Sequence, residues 1–130
     1  MTREIILQEL LAYIKGNTLI GIKGGASDRA FLDIWMVVVD RKIFARSWGM
    51  SSRSWFTAFC EQGVGQIKFG NQVVDVAGKT IVDSETNASI SKAYKAKYTQ
   101  KENEFYVDAI TESKYNDYTM EFVLTGLPSS

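Results

Sequence analysis

Apolar positions change their period several times along this chain, and each change marks an expected element. Near the start, Ile5, Ile6, Leu10, Tyr13 and Ile14 fall on one helical stripe. Thr2 can cap that helix, which is predicted to run to about Lys15 and to stop at Gly16-Asn17. Leu19–Lys23 reads as a short strand, and Gly24-Gly25-Ala26-Ser27-Asp28 as a turn. From Phe31 to Val39 the alternation disappears. The run Ile34-Trp35-Met36-Val37-Val38-Val39 predicts a strand buried on both faces. Asp40-Arg41-Lys42 then turns the chain into Ile43–Ser47, giving a hairpin.

A short helical pattern follows at Trp55–Gln62, with Trp55, Phe56, Phe59 and Cys60 on one face. Gly65–Phe69 and Gln72–Val76 alternate strictly around Gly70-Asn71, which predicts a second hairpin. Lys79–Val82 is a further strand candidate. Glu85–Tyr98 has a helical stripe at Ile90, Ala93, Tyr94, Lys97 and Tyr98, Glu104–Glu112 a shorter one, and Tyr118–Leu124 is a closing strand. About six strands interrupted by three or four helices imply an α+β fold whose sheet curls toward a barrel. All 130 residues form one domain, with a tail from about 125 to 130 expected to fray.

Composition narrows the function by exclusion. Hydrophobic residues make up 45% and charged residues 23%, the balance of a soluble globular domain. Fifteen basic residues offset fifteen acidic ones, leaving no basic surplus to drive nucleic-acid binding. No apolar run reaches a membrane-spanning length, and Arg3, Glu4, Gln8 and Glu9 interrupt any signal-like core, so a cytoplasmic location is expected. The chain has no histidine and one cysteine, Cys60, expected as a small buried hydrophobe. That excludes histidine-activated nucleophiles and a structural zinc site.

The strongest chemical signal is an echo. Arg46-Ser47-Trp48-Gly49 is followed seven positions later by Arg53-Ser54-Trp55-Phe56, with Met50-Ser51-Ser52 between. Hydroxyls, two guanidinium groups and a helix N-terminus suit a phosphate, and the indoles suit a flat ring. Read more simply, the segment is a solvated turn whose serines cap the next helix. Tyr94, Lys97 and Tyr98 either pack a helix onto the sheet or face a ligand.

The segments Ile34–Asp40, Phe44–Trp48, Trp55–Ala58 and Gly65–Ile67, with Ala93–Tyr98 further on, resemble the bacterial domain family of unknown function numbered 2255. That family looks related to flavin- and deazaflavin-binding split β-barrels, including deazaflavin-dependent reductases and pyridoxamine-phosphate oxidase-like proteins. The resemblance implies a six-stranded split β-barrel with three to four peripheral helices. It implies FMN or a deazaflavin coenzyme as cofactor, a homodimer with the ligand at the subunit seam, and a reductase passing hydride to a small acceptor. Arg46, Ser47 and Arg53 would take the phosphate, with Ser51 and Ser52 beside them. Trp48, Gly49 and Trp55 would face or wall the ring. The chain lacks the proline before the tryptophan and the Asn-Leu after it that the reductases carry. Two rival readings are a non-catalytic module whose pocket senses an anionic or aromatic small molecule, in keeping with a phosphate-bearing ligand as partner, and a cone-shaped α+β barrel around an apolar cavity. The cone gathers its helices at the N-terminal end, whereas the split barrel inserts Trp55–Gln62 between hairpins.

Overall fold

A computed structural model of the chain describes residues 3–25, 30–48 and 54–126. Its first helix, α1 (Arg3–Gly16), buries Ile6, Leu10, Leu11 and Ile14. Ile5 lies outside that stripe, 45% exposed, because spacings of four, one and three residues from Ile6 already fill the inward face. Strands β1 (Ile20–Gly24), β2 (Leu32–Ile34), β3 (Val37–Val39) and β4 (Lys42–Arg46) follow. Helix α2 (Trp55–Gln62) then precedes β5 (Val64–Phe69) and β6 (Gln72–Thr80). After them come α3 (Ser84–Lys97), α4 (Glu104–Ile110) and the last strand, β7 (Thr119–Leu124).

The seven strands form one antiparallel sheet in the order β2-β1-β5-β6-β7-β4-β3. β2 and β3 occupy opposite edges, yet only Trp35 and Met36 separate them. Three virtual bonds span at most about 11 Å, so the sheet must curl until its two edges approach each other at that corner. The result is a half-barrel. The helices are spread along the chain, with α2 between the β3–β4 and β5–β6 hairpins, so the cone arrangement does not apply.

Period two sorts the strands into an inner and an outer face. Ile43 and Ala45 of β4, Ile67 and Phe69 of β5, Val74 and Val76 of β6, and Met120 and Phe122 of β7 fill the interior with residues of α1 and α2. The alternate residues Val37 and Phe44 point outward, under Ile90 and Tyr94 of α3 and Val107 and Ile110 of α4. Arg46 lies two residues beyond Phe44, so the same alternation sends it beneath α3 and α4.

Several expectations are corrected here. The single strand from Phe31 to Val39 is broken at the Trp35-Met36 corner, and Leu32 and Asp33 are exposed on the edge. Lys79–Val82 is no separate strand, since β6 runs unbroken to Thr80 by changing partner from β5 to β7. Gly78 permits that passage: the ring of Phe59 lies so close that a Cβ would fall 2.5 Å from Phe59 Cδ1. Cys60 is exposed, because Phe59 and Ala58 take the inward places on α2. The hairpin expectations hold. Asp40 and Arg41 adopt φ of 51° and 65°, the geometry of a two-residue turn between right-twisted strands. Among the described residues, no helix is long and apolar enough to cross a membrane.

Candidate functional site

The site suggested by the echo begins where β4 ends. Arg46 is 2% exposed, and its guanidinium is engaged by protein on every side. Nε donates to Thr119 Oγ1 at 3.0 Å; Nη1 donates to Ser91 Oγ at 2.8 Å and the Ile110 carbonyl at 3.1 Å. Nη2 donates to the Asn87 carbonyl, Asn87 Oδ1 and Asn116 Oδ1 at 3.0–3.2 Å. All five N–H groups are therefore committed. The Ile110 carbonyl ends α4, so the cation also lies where that short helix leaves unpaired acceptors. Burial lowers the arginine pKa from its ordinary value, with Tyr94 acting in the opposite direction. No carboxylate is among these partners. Neutral dipoles on β7, α3, α4 and the 3-10 turn Ser113–Tyr118 that follows α4 hold the charge.

Arg46 thus faces inward under α3 and α4, and an anion there would have to displace these acceptors. Ser47 is also buried, and its backbone N–H donates to the Tyr118 carbonyl at 3.0 Å. Trp55, expected to wall a ring, belongs to the core: it packs on Phe56, Phe59 and Phe122 at 5.7–6.2 Å between centroids. Ser54 caps α2, its Oγ accepting from the Thr57 N–H at 3.1 Å. Gly49, Ser51, Ser52 and Arg53 lie outside the described residues.

Trp48 remains at the surface, 46% exposed, at the end of the strand that Arg46 anchors. Its ring stands edge-on to Tyr106 at 6.3 Å and to Tyr115 at 5.3 Å. Tyr106 in turn meets Trp35 at 6.4 Å and Phe105 at 5.5 Å. Phe105 and Tyr106 are 75% and 53% exposed, so α4 presents a contiguous aromatic surface beside Trp48. An apolar surface of this kind marks a binding face more often than a lone exposed side chain does. Sequence reasoning missed the α4 contribution. The adjacent aromatics Phe105-Tyr106 on a helix too short to bury both were the available signal.

Tyr94, Lys97 and Tyr98 resolve toward packing at the sheet corner. Tyr98 stacks on Trp35 at 4.1 Å and 10°; its hydroxyl accepts from the Met36 N–H at 3.0 Å and donates to the Thr18 carbonyl at 2.8 Å. Tyr94 accepts from the Arg46 backbone N–H at 2.9 Å. Lys97 Nζ donates to the carbonyls of Ile14 and Met36, both at 2.6 Å. The bonds from the Met36 N–H to Tyr98 and from Lys97 to the Met36 carbonyl replace the ladder bonds that Met36 loses in crossing between edges. Burial raises both phenol pKa values and brings Lys97 down to about 8. Among the described residues no group of three acidic or cysteine side chains could hold a metal.

Residues 18–122 match the family described as an uncharacterized protein conserved in bacteria, DUF2255. No curated protein sequence matches the chain. Among solved structures, the fold is similar to that of a conserved hypothetical protein, Rv2991, from Mycobacterium tuberculosis, with a TM-score of 0.56 and 11% identity. The superposition covers 97% of this chain and 81% of the other.

Proposed function

We propose that this chain, which belongs to the bacterial family DUF2255, binds the ring of a flavin or deazaflavin coenzyme against Trp48 and the aromatic face of α4. The observation that carries this reading is the exposed Trp48, braced by Tyr106 and Tyr115 at the start of the serine-arginine segment. Aromatic rings prefer offset or edge-on partners, and a braced indole loses little freedom when a flat ligand arrives. The coenzyme's phosphate is assigned to Ser51, Ser52 and Arg53 and not to Arg46, whose donors are spent inside the protein.

Counting β2 and β3 as one strand bent at Trp35-Met36 gives the six strands of a split barrel, which favours the same reading. Such a barrel pairs as a homodimer with the ligand at its seam, a position the exposed α4 face would suit. When bound, the coenzyme supplies hydride chemistry to a small acceptor; the chain's own residues bind and orient it.

Titration with FMN and with deazaflavin coenzyme, followed by visible absorption and fluorescence quenching, tests the proposal. Saturable binding is expected, weakened roughly 2- to 12-fold by Trp48→Ala at about 0.5–1.5 kcal/mol per aromatic pair. Absence of binding up to about 1 mM of either coenzyme, a free energy near −4 kcal/mol, would refute it. Binding without turnover of reduced nicotinamide and quinone or nitro acceptors selects the non-catalytic module.

A further inference from the structure

We propose that the cleft between the first turns of α3 and the outer sheet face of β4, β6 and β7 binds a small zwitterion of the α-amino-acid type with an apolar side chain. The cleft has a volume of about 510 Å³, within the roughly 300–1,000 Å³ typical of small-molecule sites. Glu121 lines it. Met120 and Phe122 point into the half-barrel, so alternation sends Glu121 to the outer face. Its cross-strand neighbours there are Phe44 of β4 and Lys79 of β6, which line the same cleft.

The Glu121 side chain is only 10% exposed, yet among the described residues its carboxylate accepts no hydrogen bond. Its ion-pair partner, Lys79 Nζ, stands off at 3.6 Å on a side chain that is 66% exposed. A carboxylate offers about four acceptor sites, and one taken out of water is ordinarily both paired and hydrogen-bonded. Arg46, two rows away on the same face, shows the contrast: six hydrogen bonds occupy its donors. The arginine charge is built into the fold. Glu121 keeps its acceptor capacity for whatever enters the cleft.

The other charges set the chemistry of that guest. Lys42 joins Lys79 on the lining, and Asp40 and Glu85 are its further carboxylates. Three carboxylates oppose a pure anion, and two ammonium groups oppose a pure cation. A ligand ammonium placed on Glu121 displaces Lys79, whose exposed side chain is free to swing onto the ligand's own carboxylate, with Lys42 as the second cation on the wall. Each charge then has a partner, and close charge-assisted hydrogen bonds replace one long ion pair. A simple amine would instead leave Lys79 without its carboxylate. Val39, Phe44 and Ile81 supply an apolar wall for the ligand side chain. None of these residues belongs to the Trp48 and α4 surface, so the site is independent of the coenzyme reading.

The test uses the whole chain, L-leucine as the probe, and the two halves of that probe. Isoamylamine lacks the carboxylate, and 4-methylpentanoate lacks the ammonium. Calorimetric titration gives the affinities, and amide NMR shifts give the location. Leucine is expected to bind with a Kd below about 1 mM and to shift the amides of Thr86, Ser89 and Glu121. Each half should bind at least about fivefold more weakly, having lost one charge-assisted contact. A leucine Kd above that limit, shifts confined to other residues, or a half that binds within about fivefold of leucine overturns the proposal. Glu121→Gln keeps the size of the side chain and should weaken leucine by at least about fivefold at an unchanged melting temperature; a smaller loss overturns Glu121 as the anchor. Lys79→Gln, at an exposed position that folding tolerates, should weaken leucine about threefold or more without weakening isoamylamine. Equal effects on both probes, or none, overturn the exchange of partners.

Discussion

Replacing Arg46 by alanine removes six hydrogen bonds that join β4 to β7, α3, the end of α4 and the following 3-10 turn. At about 1.5–3 kcal/mol for each bond to a charged group, simple addition gives an implausibly large sum. Two effects reduce it. The bonds share one guanidinium, so they are not independent. Deleting the cation also removes the cost of keeping an uncompensated charge out of water. What remains is a set of buried acceptors, including Asn87 Oδ1 and Thr119 Oγ1, with no donor in reach. Disruption of a buried charged network of this kind costs about 3–5 kcal/mol. Arg46→Lys keeps the charge but not the planar fork, and its three donors cannot reach acceptors on four elements. About 2–4 kcal/mol is expected there, as buried polar groups left unpaired cost about 1–3 kcal/mol each.

Urea unfolding followed by tryptophan fluorescence measures both variants. With a slope near 2 kcal/mol/M, a loss of 4 kcal/mol lowers the midpoint by about 2 M. The slope should stay constant, since the surface exposed on unfolding is nearly unchanged. A midpoint shift below about 0.5 M for Arg46→Ala would show that the guanidinium is not a strut. The residue would then be free for the phosphate that the sequence suggested. Affinity for FMN gives the complementary readout: a strut variant still folded at low temperature keeps its affinity within a few fold, whereas loss of a phosphate ligand reduces it at unchanged stability.

Gly78→Ala should destabilise by about 1–3 kcal/mol, because its Cβ would meet Phe59 and Met120 in a filled interior; an unchanged melting temperature would contradict that packing. Tyr98→Phe leaves the Met36 N–H without its acceptor and should cost about 1–3 kcal/mol in the same unfolding experiment, with the stacked ring retained. Lys97 gives up its proton at about pH 8 when folded and at 10.5 when unfolded, so the unfolded chain binds more protons between those values. On that account stability rises with pH across the window, and Lys97→Met abolishes the rise. The raised phenol pKa values of Tyr94 and Tyr98 act oppositely above pH 10, where an unfolded tyrosine ionises and a folded one does not. Stability measured from pH 7 to 11 should therefore rise and then turn over, and a flat profile would contradict both assignments.

The sequence by itself determined the local elements. Helical stripes ending at glycine, strict alternation around Gly70-Asn71, and the turn after Val39 are short-range patterns read within a few residues of one another. So α1, α2, α3 and the two hairpins stand close to where the spacing placed them. Partner choice was beyond that range. Nothing near Met36 says that a tyrosine 62 residues away will accept its N–H, so a continuous apolar run became two strands on opposite edges. The inward path of Arg46 was half legible: alternation with Ile43 and Ala45 sets its face, but the acceptors that hold it lie 41 to 73 residues downstream. Proximity in sequence grouped Arg46 with Trp48. Tertiary packing separated them, because a strand end can bury one residue and expose another two positions on, and only the long-range acceptors decide which charge stays dry.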